Sequence, residues 1–205
     1  MYKFLIIVLL LEVSVYGKAD STKSEEKRIN QYYSGKFGLY VPSKELNNGL
    51  ILGIDGITEF NKFNFFLSGS IDLYFKKTFD IFSEPKPSVS DQTILIIPLH
   101  ANFAYKLLDI PDAEAKFYIG IGGGYYLHFY NVQYRNSGGI IGGVFDKSAT
   151  KNGGNVFFTV SGRILIGKIF IEPRFYLAGE SSGSIETYNY KIDPSGFAIT
   201  LGFQY

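Results

Sequence analysis

The chain has 205 residues, is 46% hydrophobic and carries a formal net charge of +1, with 23 glycines, 19 phenylalanines and 16 tyrosines but neither tryptophan nor cysteine. This balance gives no case for a nucleic-acid partner, which would show as a concentrated basic stripe. The lack of cysteine excludes disulfides, thiolate metal sites and a lipid anchor on an N-terminal cysteine. The wealth of aromatic residues and glycine favours a single unit of twisted β-strands.

The first segment is predicted to be an export signal. Lys3 precedes a short apolar run, and a small residue follows at Gly17, which is the pattern of a signal peptide. The run is shorter than the roughly 20 apolar residues that a membrane-spanning helix needs. We expect residues 1–17 to be cleaved, with Ala19 as a second possible cleavage point. Residues 18–32 are then a polar lead-in.

From Tyr33 onward, bulky apolar side chains alternate with small or polar ones, which is the period of a β-strand with one apolar face. Most of the segments that carry this pattern are about nine residues or longer, the length with which a tilted strand crosses a bilayer (roughly 9–11 residues). We predict eight strands, at residues 33–41, 50–59, 63–75, 95–107, 117–129, 156–166, 169–177 and 197–205.

The connections between these strands alternate strictly between long and short. In an up-and-down barrel this alternation places every long connection at one end and every short turn at the other. Membrane barrels have short periplasmic turns and long external loops. The long connections are predicted at 42–49, 77–92, 132–155 and 179–196, and the short ones at 61–62, 108–114 and 167–168.

The polar face of the strands is rich in glycine, serine and asparagine and carries charges of both signs, including Lys36. In a narrow lumen such charges are tolerated when they pair and hydrogen-bond with one another. We expect a polar network in the lumen, formed by Asp55, Glu59, Asp72, Lys76, His100, Lys106, Lys116, His128, Arg163, Glu172 and Arg174.

The alternation alone does not decide which face is inside. A soluble lipocalin-like barrel lines its ligand cavity with the apolar face and exposes a wet, charged exterior. The polar face here is too small and too sparsely charged to cover a barrel exterior, so lipid outside is the favoured interpretation. A soluble periplasmic binder of apolar ligands is the alternative.

With these features the chain resembles the small eight-stranded outer-membrane β-barrels of the OmpA or OmpX type, often described as porin-family proteins. The resemblance covers residues 33–205 and depends on the strand pattern, the aromatic and glycine-rich run from Phe117 to Tyr126, and the last strand. It implies an all-β, eight-stranded antiparallel up-and-down transmembrane barrel in the cell outer membrane, in contact with lipid and lipopolysaccharide. It also implies that Phe203 and Tyr205 are an insertion signal for the barrel-assembly machinery.

The predicted function is a structural, surface-interaction or weak small-solute pore role, without cofactor or metal. Arg163, Glu172 and Arg174 form either a gate for ions or a static plug, and an eight-stranded lumen that is only wide enough for side chains favours the plug. A lipid A-modifying enzyme is a second alternative, with His128 as base. Such chemistry needs a serine and a carboxylate beside the histidine, and no serine neighbours His128 in the sequence. We therefore expect no catalysis and treat His100 and His128 as polar fillers.

Overall fold

The structure is a computed structural model and describes residues 29–43, 46–77, 88–135, 146–185 and 188–205. The predicted signal peptide and most of the polar lead-in lie outside the described residues. The described chain contains ten β-strands: β1 (Ile29–Pro42), β2 (Gly49–Phe60), β3 (Phe65–Lys77), β4 (Ser88–Ile110), β5 (Ala115–Arg135), β6 (Asp146–Ile166), β7 (Ile169–Ala178), β8 (Ser181–Ile185), β9 (Tyr188–Ile192) and β10 (Gly196–Gln204).

Eight of the strands form one closed antiparallel barrel, in which β10 follows β7 and pairs with β1. Following cross-strand partners once around the barrel from Phe65 leads back to β3 at Phe75, a shear of ten residues. With eight strands, this shear tilts the strands by roughly 40° from the barrel axis. The predicted eight-stranded up-and-down barrel is confirmed.

The exterior of the barrel is apolar around its whole circumference. Every predicted apolar stripe points outward, and 35 large hydrophobic side chains among the described residues are exposed, such as Leu52 on β2, Ile121 on β5 and Leu201 on β10. Monomeric soluble proteins rarely expose a contiguous apolar surface of this kind. The lipocalin-like alternative, in which these side chains line an internal cavity, is therefore wrong.

Tight connections close one end of the barrel, which we call the turn end. Asn61–Phe63 and Pro111–Ala113 each form one turn of 3₁₀ helix, and each is followed by a residue in the left-handed region, Asn64 (φ 55°) or Glu114 (φ 48°). The third turn uses Gly167 at φ 57°, a conformation that glycine adopts without steric cost. All three lie where short connections are predicted.

At the other end, the loop end, the strands continue into the predicted long connections. β4 begins at Ser88, β5 ends at Arg135 and β6 begins at Asp146. Much of the segments predicted as loops at 77–92 and 132–155 is therefore strand. At the turn end, β1 begins at Ile29, which pairs with Phe60, rather than at Tyr33.

Three of these extended strands project beyond the ring as a sheet of their own. The last pair between β3 and β4 joins Lys77 to Thr93, and the last between β6 and β7 joins Phe157 to Ala178. β4, β5 and β6 continue to pair with one another past that level. We call residues 88–92, 131–135 and 146–155 the projecting sheet.

The predicted loop at 179–196 contains the separate two-stranded sheet β8–β9. β8 and β9, which we together call the cap hairpin, bury Ile185, Tyr190 and Ile192 in an apolar cluster that includes Tyr130 and Val132 of β5. The rings of Tyr130 and Tyr190 meet edge to face, with centroids 4.9 Å apart. The cap hairpin therefore lies over the loop-end mouth of the barrel and against the projecting sheet.

The interior of the barrel is filled in layers. An apolar and aromatic cluster occupies the loop end, a smaller one with Phe66 and Phe170 occupies the turn end, and buried charges lie between them. Among the described residues there is no helix of the length and hydropathy that crossing a membrane would require.

Candidate functional site: the polar lumen

The centre of the lumen holds six charged side chains that we call the charge ring. They come from inward positions on five strands, where the two-residue period turns them away from the apolar exterior. Each is at most 5% exposed. The members are Lys36 on β1, Asp55 on β2, Asp72 on β3, Arg163 on β6, and Glu172 and Arg174 on β7.

Positive and negative charges alternate around this ring without a break. Lys36 Nζ lies 2.7 Å from an oxygen of Asp55 and 3.0 Å from one of Asp72. Arg163 Nη2 lies 2.9 Å from Asp55, and its Nε donates to Glu172 at 2.6 Å. Arg174 pairs with Glu172 through Nη2 and with Asp72 through Nη1, at 3.3 Å in the second case.

Each charge in the ring therefore has two opposite partners, and the formal charges sum to zero. Buried ions are tolerated when opposite charges compensate them in this way. Asp72 Oδ1, Arg163 Nη1 and Arg174 Nε nevertheless have no hydrogen-bond partner among the described residues. If one charge is removed, each of its two oppositely charged neighbours loses one of its two ion-pair partners. The ring is a rigid electrostatic unit rather than a set of independent pairs.

Neutral groups complete the layer. Ser34 Oγ donates to Asp55 at 3.0 Å, and the Tyr176 hydroxyl donates to Asp72 at 3.2 Å. His100 receives a hydrogen bond from Arg174 at Nε2. On the turn side, the guanidinium of Arg163 lies 4.2 Å from the ring centroid of Phe170, a cation–π contact.

A second polar cluster lies at the turn-end mouth and centres on Glu59. Lys116 Nζ lies 3.3 Å from Glu59, Lys106 Nζ lies 3.9 Å from it, and the Tyr118 hydroxyl donates to it at 3.0 Å. Lys106 also pairs with Asp109 at 2.8 Å. The structure thus divides most of the predicted network between two clusters.

Two predicted members lie apart from both clusters. Lys76 donates to the carbonyl of Asn48 at the loop end, at 2.7 Å. His128 is fully buried near the loop-end mouth, and neither of its ring nitrogens has a hydrogen-bond partner among the described residues. His128 therefore forms no hydrogen bond with a serine or carboxylate among those residues.

The glycine run of β5 favours Tyr118 and Tyr126 as lumen residues, but the aromatic layer that Tyr40, Tyr74 and Tyr176 form above the charge ring was not predicted. Tyr40 and Tyr74 meet edge to face at 5.0 Å, Tyr40 and Tyr176 do so at 5.7 Å, and Tyr126 borders the same space. The cavity that these rings leave is about 20 Å³, room for one water molecule. The sequence pattern could have revealed this layer, because these tyrosines occupy the alternate positions that also carry the polar side chains. Tyr40, for example, lies between the outward-facing Leu39 and Val41.

The predicted insertion signal lies on the lipid-facing side of β10. Phe203 is exposed, and its ring stacks with that of Tyr205 at 6.5 Å. The backbone of Tyr205 exchanges two hydrogen bonds with Tyr33 of β1. The described residues contain no group of three or more histidine or carboxylate side chains arranged to hold a metal ion.

No protein-family model matches the chain, and no curated protein matches it. It is similar to the solved structure of the attachment invasion locus protein of Yersinia pestis (9% identity, TM-score 0.43), with 86% of this chain and 97% of that chain covered. It is also similar to Neisserial surface protein A (14%, TM-score 0.46, 86% and 97% covered) and to a major outer membrane protein from Thermus thermophilus (10%, TM-score 0.47, 86% and 100% covered). At these identities and TM-scores, the fold assignment depends on the strand pairing and the apolar exterior of this chain itself.

Proposed function

We propose that this chain is an integral protein of the cell outer membrane, with its turn end in the periplasm and its loop end outside, and that it serves as a closed scaffold for surface contacts. The observation that carries the proposal is the continuous apolar exterior around a lumen of paired charges. A membrane barrel needs both features, since lipid cannot solvate charges and the closed ring leaves no strand edge unpaired in the bilayer.

Polar residues lie immediately beyond the apolar exterior, where they would contact lipid headgroups. On the outer surface at the loop end, the row Phe75, Leu95 and Phe129 is followed by the row Lys77, Thr93 and Asn131, joined by direct cross-strand pairs. Along each strand, the next outward-facing residue changes from bulky and apolar to hydrogen-bonding. Such a change is expected where acyl chains give way to headgroups. Lys77 and its neighbours are suited to the phosphates of lipopolysaccharide.

The projecting sheet supports a surface-interaction role. Its strands lie past the last lipid-facing row and pair with one another rather than with the ring. Its outward face is polar: Asn131 donates to Thr150 across the strands at 3.1 Å, and Asp91 and Gln133 are exposed. A rigid polar sheet held away from the membrane is a suitable platform for an external protein or glycan, whose identity the sequence does not encode.

The filled lumen supports a scaffold rather than a pore. Above the charge ring lies the aromatic layer, and below it Phe170 packs against the guanidinium of Arg163, a member of the ring. We expect no channel conductance in planar bilayers, and none after Arg174→Ala, because the aromatic layer still blocks the loop end. Conductance steps that appear with Arg174→Ala would instead identify the charge ring as a gate.

The insertion signal inferred by resemblance also fits this orientation. Phe203 and Tyr205 lie on the lipid-facing side at the turn end, where periplasmic barrel-assembly machinery would meet them. Their recognition by that machinery remains a prediction.

Membrane integration and orientation are tested together with cysteine labelling, since the chain has no cysteine of its own. We expect the protein to stay in the membrane after carbonate washing and to migrate differently on a gel before and after heating. In intact cells, a membrane-impermeant maleimide should label Lys151→Cys in the projecting sheet and spare Lys168→Cys in the turn. Both positions are exposed, so the reverse pattern would overturn the orientation, and a detergent-free soluble protein would overturn the proposal.

A further inference from the structure

The cap hairpin is attached to the barrel by its two ends and by its buried apolar face. It forms no ladder with the ring, because β8 and β9 pair only with each other. The residues that flank the hairpin are hydrogen-bonded to the barrel. The Tyr126 hydroxyl donates to the carbonyl of Gly179 at 2.7 Å, and the Tyr40 hydroxyl donates to that of Pro194. An isolated two-stranded hairpin is marginally stable in water, so the apolar docking of its inner face keeps it in place.

His128 lies at the base of this docked hairpin. Gly153, its cross-strand partner on β6, has no side chain, and an added Cβ there would lie 2.7 Å from the imidazole and 3.3 Å from Ser181 Oγ, the first side chain of the cap hairpin. The imidazole also stacks on Tyr130, which in turn meets Tyr190 of β9. One contact path thus joins His128 to the buried face of the cap hairpin.

Among the described residues, no carboxylate forms an ion pair or hydrogen bond with His128. Its own strand presents Tyr126 and Tyr130, and β4 presents its cross-strand partner Ile96. β6 presents Gly153 and, one inward position further, Lys151, which is positive. Neither imidazole nitrogen has a hydrogen-bond partner in the part of the chain that the structure describes.

On the hairpin side, the carboxylates that the structure describes are Glu180 and Asp193. Glu180 is paired with Lys191 at 2.7 Å on the exposed side. Asp193 accepts a hydrogen bond from the backbone of Ser195 at 2.9 Å. The tyrosine ring faces offset only part of the cost of an unpaired cation that is shut away from water.

We propose that the cap hairpin is an acid-released lid over the barrel mouth and that His128 is its proton sensor. While the lid is docked, the imidazole is held neutral and buried; once the lid lifts, water reaches the imidazole and it takes up a proton. Because the open state binds the proton better than the closed state, acidification shifts the population towards the open state. The shift begins as the pH falls through the ordinary histidine range near 6.5.

The test measures exposure of the buried face of the lid in the full-length protein, folded in detergent micelles. A cysteine at Ile192, which is fully buried, reports opening, and a cysteine at the exposed Asn189 in the same hairpin is the matched reference. The ratio of their maleimide labelling rates cancels the pH dependence of the reagent. We expect this ratio to rise about tenfold from pH 7.5 to pH 5.0.

The same measurement in His128→Gln identifies the sensor, since glutamine is polar but stays neutral at both pH values. We expect a flat ratio in His128→Gln, and His128→Phe serves if the glutamine variant does not reach the heat-modifiable folded form. Ile185→Cys provides a second buried reporter on β8. A ratio that does not change with pH in the parent protein, or one that rises equally in the His128 variants, overturns the proposal.

Discussion

Glu172 is the carboxylate on which both arginines of the charge ring depend. Arg163 Nη2 lies 2.5 Å from one of its oxygens, and Arg174 pairs with the other. A second carboxylate, Glu180, also pairs with a cation, but on the surface, where both partners are largely solvated. The two glutamates have the same chemistry and differ in burial, so they separate the effect of an enclosed ion pair from that of an exposed one.

We expect Glu172→Gln to lower the free energy of unfolding by about 3 kcal/mol, because it leaves two buried guanidinium groups facing each other with less compensating charge. Glu180→Gln should cost less than about 1 kcal/mol, as exposed pairs do. Urea titration of the heat-modifiable band in micelles measures both. Equal effects of the two substitutions would show that the ring does not act as a buried unit.

The polarity of the lumen could be predicted from single residues, but the partnerships could not. Asp55, Asp72 and Arg163 each stand out in the sequence as a charge at an inward-facing position of a strand. The shear of the barrel decides which charged side chains come together. The shear of ten results from the registers of all eight strand pairs, not from a local sequence pattern. Lys76 and His128 share the inward parity, yet they lie too near the loop end to reach the ring.

Strand β5 shows how closely backbones approach inside so narrow a barrel. An added Cβ at Gly124, which points inward, would overlap the carbonyl oxygen of Leu99 on the neighbouring strand. An added Cβ at Gly69, which points outward on β3, would meet nothing within 4 Å. The inward glycines of β5 are therefore required by packing, whereas Gly69 is not.

We expect Gly124→Ala to destabilise the barrel by about 1–3 kcal/mol, since backbone must move to admit the methyl group. Gly69→Ala should be neutral or stabilising by up to about 1 kcal/mol, because alanine restricts the unfolded chain without a clash. The fraction of each variant that migrates as the folded form on unheated gels is the readout. Similar losses in both variants would contradict the packing argument.

The projecting sheet and the cap hairpin were not predicted as strands, because their two faces do not meet two different environments. The eight transmembrane segments alternate because one face meets lipid and the other meets the lumen. Beyond the membrane, both faces of the projecting sheet are partly polar, so residues 146–155 of β6 show no period and resemble a loop. The strands of the cap hairpin are only five residues long, too short for a period to be read.

The outer surface of the barrel is hydrophobic, so its position in the bilayer can be measured with single fluorescent residues. Ile121, in the middle of β5, is 63% exposed, whereas Asn189 lies on the exposed side of the cap hairpin. The chain has no tryptophan. A single tryptophan at either position therefore reports its surroundings without background.

In vesicles we expect Ile121→Trp to emit at short wavelength and to be quenched strongly by lipids with brominated acyl chains. Asn189→Trp should be unaffected by the same lipids, because the cap hairpin lies beyond the bilayer. Quenching of both positions would show that the loop end is immersed. Quenching of neither would remove the lipid-facing assignment of β5.

The pairing of β1 with β10 has a kinetic consequence. This seam joins residues as far apart in the chain as Ser34 and Gln204, and contacts so distant in sequence form slowly because a long loop must close first. Until the last strand arrives, the unfinished sheet carries two open edges that invite pairing with other chains. The protein must therefore be kept apart from its own copies during biogenesis, and the seam is the step at which assembly either completes or aggregates.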